Sequence, residues 1–302
     1  YAADPDQLSL LATFPRFREL ERRHGSLTAG ITAQRRRGSS NPQRTKPLFV
    51  TLKPGLSVLI EALRAQLHDV TVIMGQPVVR LARQNTASPY RLRLADGSLL
   101  EADAVVLTTP AYVTAELLEP LSFKAAALLA EIHHVSTAVV TLAFQRSQVE
   151  HPLDGTGFVV PRLERRPLMG STCTWTSSKW PGLAPEGFAL LRCFFGRAGQ
   201  EDILQLDDRE LLHLAYQELR SLVGLRGEPI LTRVYRWPRA MPQYPVGHLQ
   251  RLAQLEAALS EHPGLVLAGA AYRGIGLPDC VKQAQESAEQ VLARIGNRSA
   301  VR

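Results

Sequence analysis

Gly264-Leu265-Val266-Leu267-Ala268-Gly269-Ala270-Ala271-Tyr272-Arg273-Gly274-Ile275-Gly276-Leu277-Pro278-Asp279-Cys280 is the stretch whose reading decides the fold. Its first residues form a short apolar run, as expected of a buried strand from Gly264 to Gly269. Gly269, Gly274 and Gly276 follow, and without a Cβ their backbone can approach a flat ligand closely. A helix is predicted from Val281 onward, with Val281, Ala284, Ala288, Val291, Leu292 and Ile295 on one face. Its free amide N–H groups and positive dipole end would point into the loop. That geometry suits a group that gains negative charge on reduction, such as the N1–C2=O edge of a flavin. Taken alone, Gly-x-Gly equally describes an ordinary strand–turn–helix link.

Outward from that stretch, Ala102-Asp103-Ala104-Val105-Val106-Leu107-Thr108-Thr109-Pro110 is a second apolar run ending in small and polar residues. It reads as a strand buried on both faces of a parallel sheet, with function at its C-terminal end. Before it, Val70 to Met74, Val78 to Arg83 and Tyr90 to Leu94 read as strands, and Asp96-Gly97 turns the last one back. Leu56, Leu59, Ile60, Leu63 and Leu67 form a helical stripe entered at Pro54-Gly55, and Leu8, Leu11, Phe14, Phe17 and Leu20 form another. Residues 132–236 are richer in strands: His134–Phe144, Thr156–Val160, Ser171–Thr176, Phe188–Phe195 and Ile230–Trp237. Helices are expected near Phe123–Glu131 and over Asp208–Leu222. The predicted fold is α/β plus α+β: an incomplete Rossmann-like domain (48–121 and 241–302) and a mixed-sheet substrate-binding domain (1–47 and 122–240).

The 302 residues are 45% hydrophobic and 21% charged, the balance of a folded protein, and no apolar run approaches the ~20 residues of a membrane span. Net charge is +7. The run Arg35-Arg36-Arg37 sits in what reads as a solvated loop, Ala33 to Gln43, without the basic stripe and aromatics of a nucleic-acid surface, so no nucleic-acid partner is expected. Three unpaired cysteines, Cys173, Cys193 and Cys280, read as buried thiols in a reducing compartment. Cys280 differs because the following helix end would lower its pKa. Neither these nor the eight histidines have metal-ligand spacing, His133-His134 included, and no metal is expected. The opening Tyr1-Ala2-Ala3-Asp4-Pro5-Asp6 has no secretory-signal character, and the chain is expected to begin partway into a longer one.

Several ordered motifs carry a resemblance to a known family. They are Tyr1 to Leu10 with Thr13-Phe14-Pro15 and His24-Gly25-Ser26-Leu27, then Leu52-Lys53-Pro54-Gly55-Leu56, and Asp154 to Arg162. Met241 to His248 and, most specifically, Tyr272 to Cys280 complete the set. Over almost its whole length the chain resembles the protoporphyrinogen oxidases, FAD flavoproteins of haem biosynthesis in the amine-oxidase-like superfamily. The resemblance implies an oxidoreductase that converts protoporphyrinogen IX to protoporphyrin IX, with O2 reoxidising the flavin to yield hydrogen peroxide. Coproporphyrinogen III is the alternative substrate, and an inactive fragment or one half of a split flavoprotein is the non-enzymatic alternative. Thr156, Thr174, Leu183 and Ala284 depart from the family pattern.

Carried over by position, the resemblance implies that Val78, Thr109, Pro110, Trp237, Gly269, Gly274, Ile275, Gly276 and Leu277 bind the cofactor. It places Val159, Thr174 and Phe194 against the macrocycle. No catalytic side chain is identified, because the flavin carries the redox chemistry. The family's Gly-x-Gly-x-x-Gly fingerprint is absent from these residues. A missing N-terminal FAD-binding half is therefore expected as a partner, and the chain alone is expected to bind FAD weakly. A cytoplasmic location, peripheral contact with the inner face of the membrane, and a homodimer are also implied by the resemblance.

Overall fold

The computed structural model describes residues 2–38, 50–84, 89–161 and 172–299. Three short helices open it: α1 (Leu10–Thr13), α2 (Pro15–His24) and α3 (Leu27–Gly38). The single stripe expected from Leu8 to Leu20 is broken between α1 and α2 at Phe14. Gly25, at φ +79, ends α2 by accepting the left-handed conformation. α3 runs through Arg35–Gly38, so this part of the presumed basic loop is helical; Ser39 to Gln43 lie outside the described residues. Next come α4 (Ser57–Ala65), then β1 (Val78–Arg83), β2 (Tyr90–Leu94), β3 (Leu99–Ala102) and β4 (Val105–Leu107).

Strands β1, β2 and β3 form an antiparallel meander. Its β2–β3 hairpin turns at Asp96-Gly97, as expected, with Gly97 at φ +88 and the Ser98 amide donating to Asp96 Oδ1 at 2.9 Å. The expected strand Val70–Met74 does not form: a strand needs a partner for its amides and carbonyls, and among the described residues no strand pairs with it. Val106 of β4 is half-exposed between buried Val105 and Leu107, so this strand is buried on one face only.

The chain continues through α5 (Ala111–Leu118) and α6 (Phe123–Ala130) into β5 (His134–Gln145), β6 (Gly157–Val159), β7 (Thr172–Trp175), α7 (Thr176–Lys179) and β8 (Phe188–Phe195). After α8 (Asp208–Val223) it returns through β9 (Leu231–Pro242), α9 (His248–Leu259), β10 (Leu265–Leu267) and α10 (Leu277–Ser299). The larger sheet has the order β6-β7-β8-β5-β9 and is antiparallel in every pairing, where a mixed sheet was expected. One face packs under α8: Val140, Leu142 and Phe144 of β5 and Leu191, Cys193 and Phe195 of β8 meet Leu211, Ala215 and Leu219. Period-two alternation fills this core, because every second side chain points toward the helix.

A second core joins β4, β10, α5, α6 and α9 through Leu107, Leu118, Leu129, Leu252, Leu255 and Leu265. Helix α6, assigned from the sequence to the substrate domain, packs here. β10 lies parallel to β4, pairing Leu265 with Val105 and Leu267 with Leu107. α10 starts at Leu277, four residues earlier than expected, since Pro278 suits a first turn whose amides have no partners. Its apolar stripe faces outward, with Val281 54% and Leu292 65% exposed, while Gln283 and Ser287 are buried.

Candidate functional site

The parallel pair β4–β10 brings its two C-terminal ends side by side: the Ala268 amide donates to Leu107 O at 3.1 Å. Thr109-Pro110 and Gly269 therefore lie at one sheet edge, where open α/β sheets place ligands. Thr109 Oγ1 sits 2.8 Å from Thr114 Oγ1, which ties the strand end to the first turn of α5. Gly269 adopts φ +126, and a Cβ there would stand 3.7 Å from Thr108 O, so the glycine leaves space that a side chain would fill.

A buried polar frame holds the loop beyond Gly269. The Tyr244 hydroxyl donates to Ala270 O at 2.7 Å and accepts from the Gly274 amide at 2.9 Å. His248 stacks on the Tyr244 ring, centroids 4.1 Å apart, and its Nε2–H donates to Tyr272 O at 2.8 Å. Burial depresses the His248 pKa, the nearby Arg251 and Arg273 add to this, and the bond to Tyr272 O opposes it. Burial pushes the Tyr272 phenol up to about 12. Gly274, at φ +122, brings its Cα against Asp279, where a Cβ would lie 2.6 Å from the carboxylate carbon. Gly274 is buried, Ile275 and Gly276 are half-buried, and Leu277 is exposed, so the last three line the open side of the loop. Cys280 overturns its expectation: burial and the adjacent Asp279 raise its pKa.

A flat ring fits this edge. The loop offers glycine backbone, open space over Gly269 and the first turn of α10, all against a rigid frame. Val78 opens β1, and its partly buried side chain packs against the second core.

The positions expected to meet the substrate lie on the larger sheet. Register aligns Val159 with Thr172, Thr172 with Phe194, Phe194 with Val139 and Val139 with Tyr235. One row therefore crosses all five strands on the face opposite α8. The next row is Gly157, Thr174, Arg192, Thr141 and Arg233. Val159, Thr174 and Phe194 thus share one open face, and Trp237 shares it too, two residues beyond Tyr235 and opposite Thr137. Val159 is 72% exposed, and a groove of about 480 Å³ opens on this face between Phe188, Leu190, Leu231, Arg233 and Tyr235.

Sequence reasoning missed Arg192, Arg233 and Tyr235, although strict alternation along β8 and β9 marks them. It also missed the joint between the sheets. There β9 carries a bulge opposite Ser136, and Arg239, at φ +46, holds its guanidinium 3.6 Å over the Tyr112 ring. Tyr112 meets His134 edge-on at 5.2 Å, and burial lowers the His134 pKa. Cys173 and Cys193 face each other across β7–β8 as buried free thiols; their mutual hydrogen bond and then burial raise the Cys193 pKa.

Comparison with known proteins agrees with this architecture. The coproporphyrinogen III oxidase of Bacillus subtilis is 39% identical over 295 residues, covering 97% of this chain and 62% of the relative. The chloroplastic protoporphyrinogen oxidase of Nicotiana tabacum is 29% identical, over 96% of this chain and 56% of the relative. A crystal structure from Exiguobacterium sp. 255-15, provisionally named a protoporphyrinogen oxidase, superposes with a TM-score of 0.81 at 34% identity, covering 95% of this chain and 60% of that one. The chain thus spans about three-fifths of the length of these proteins. The model of the flavin containing amine oxidoreductases matches residues 1–292, and the chain belongs to that family, whose cofactor is a flavin.

Proposed function

We propose that this chain serves the FAD-dependent, oxygen-using oxidation of a porphyrinogen to a porphyrin, with coproporphyrinogen III as the substrate. The observation that carries the reading is the row Val159–Thr172–Phe194–Val139–Tyr235, in which Val159 and Tyr235 are exposed, Phe194 is half-buried and Val139 is buried, across the sheet face opposite α8. Such a face receives a broad, flat macrocycle, with Phe194 stacking on a pyrrole ring. FAD, when bound, supplies the two-electron oxidation, and O2 is the terminal oxidant. Thr109, Pro110 and the Gly269–Leu277 loop would hold the ring edge, with Tyr244 and His248 keeping the loop in shape. Trp237, expected from the resemblance to bind the cofactor, shares the sheet face of Tyr235.

The sequence reading put protoporphyrinogen IX first. The higher identity to the Bacillus coproporphyrinogen III oxidase, 39% against 29% for the tobacco enzyme, moves the weight to coproporphyrinogen III. Protoporphyrinogen IX remains the second reading, supported by the names of the tobacco and Exiguobacterium proteins. The chain has no Gly-x-Gly-x-x-Gly, so the FAD pyrophosphate and ribose are proposed to be held by a partner segment.

The test compares the chain alone with the chain joined to the part of the Bacillus relative that the match leaves uncovered. FAD retention is read by absorbance, and oxidation of each porphyrinogen by porphyrin fluorescence above the autoxidation control. The expected result is weak FAD retention by the chain alone, and faster oxidation of coproporphyrinogen III by the joined protein. A joined protein that retains FAD yet oxidises neither porphyrinogen would sink the reading. Firm FAD retention by the chain alone would sink the partner segment.

A further inference from the structure

We infer that Arg192 and Arg233 form a carboxylate-recognising pair that sets the preference for a porphyrinogen with more acid side chains. The inference rests on the porphyrinogen reading and deepens it. Both arginines stand on the open face of the larger sheet, in one row, each directly opposite Thr141. Two strand spacings separate their Cα atoms, about 10 Å. Arg192 lies over the Phe194 ring at 5.5 Å, and Arg233 donates through Nη1 to Thr232 O at 2.8 Å. Among the described residues neither forms an ion pair with a carboxylate, whereas Arg226, Arg236, Arg251 and Arg273 all do.

Both side chains are exposed, and the row beside theirs carries Phe194 and Tyr235. The face therefore combines an aromatic and apolar platform with two forked donors that, among the described residues, have no carboxylate partner. A macrocycle stacked on the platform would bring its peripheral carboxylates within reach of both guanidinium groups, each able to donate a bidentate pair of hydrogen bonds to a carboxylate. Chemistry separates the two substrates at this point. A coproporphyrinogen carries four propionates, one on each pyrrole ring, while a protoporphyrinogen keeps two and presents vinyl groups elsewhere. Two cations over an apolar groove would leave vinyl groups facing unpaired charge.

The stable products, coproporphyrin III and protoporphyrin IX, serve as probes, titrated by fluorescence against the chain joined to the uncovered part of the Bacillus relative, with coproporphyrin tetramethyl ester as the uncharged control. The wild type is expected to bind coproporphyrin III more tightly than protoporphyrin IX and to lose that preference both with the ester and at high salt. Arg192→Gln and Arg233→Gln are each expected to weaken coproporphyrin III binding about tenfold, with a smaller change for protoporphyrin IX. Arg192→Lys and Arg233→Lys should restore part of the loss. Glutamine variants with unchanged melting temperature that keep the wild-type preference would overturn the inference and leave the porphyrinogen reading standing. So would a wild-type preference that is insensitive to salt and to esterification. A joined wild-type protein that binds neither porphyrin overturns the reading and the inference together.

Discussion

Tyr244 and His248 show how single side chains hold the glycine loop. The Tyr244 hydroxyl bridges Ala270 O and the buried Gly274 amide, so Tyr244→Phe leaves both without that partner in a dry setting. The expected loss is about 1–3 kcal/mol, seen as a lower urea midpoint with an unchanged slope. His248 makes stability depend on pH. Its folded pKa lies below the ordinary 6.5, so the unfolded chain takes up the proton first as pH falls. The contribution is complete above about pH 6.5 and is lost on acidification until the folded pKa is passed. His134 and His262 shift the same way through burial. His248→Gln should therefore reduce, without abolishing, the fall in melting temperature between pH 7.5 and 5. A slope equal to that of the wild type would contradict this account.

At the scale of elements, α8 is the clearest case of a helix written into its sequence. Asp207 accepts from the Glu210 amide at 2.8 Å, Glu210 Oε2 accepts from the Asp207 amide at 2.8 Å, and Gly224 closes the helix in the left-handed conformation. Asp207→Ala should cost about 0.5–2 kcal/mol in a denaturant titration, because α8 covers the larger sheet. Helices α5 and α9 were not legible. Ala111, Thr114, Ala115, Leu117 and Leu118 bury nearly every side of α5, which erases the amphipathic period. α9 follows Gly247 at φ +95 with no side-chain cap, so no start signal marks it. Val70–Met74 fails in the opposite sense. Its composition suits a strand, but among the described residues no strand pairs with it.

Across the whole molecule, apolar surface is unevenly distributed. α4 buries none of its residues, and Leu59, Ile60 and Leu63 join Val70, Val72, Ile73 and Met74 among the exposed side chains. Exposed apolar side chains in this number offer an apolar dye a place to bind. Ile60→Glu and Leu63→Glu together should cut binding of the apolar dye ANS while shifting the melting temperature by no more than about 2–4 °C, since surface changes typically cost little. A loss of cooperative unfolding would show that α4 supports the core after all. Among the described residues no helix is long and apolar enough to cross a membrane.

Period and punctuation are local, and so the sequence alone determined β5, β8 and the β2–β3 hairpin, the strand–glycine loop–helix unit at the C-terminal end, and the resemblance to flavoproteins. Register is not local. Thr141 faces Arg192 on one side and Arg233 on the other only because inter-strand hydrogen bonds align segments distant in the chain. A one-residue slip would turn those side chains into the core. The outward apolar face of α10 and the raised pKa of Cys280 likewise depend on what packs beside them. Tertiary structure alone decided which residues share the open face, because long-range pairing, rather than any local preference, chooses the side on which each side chain emerges.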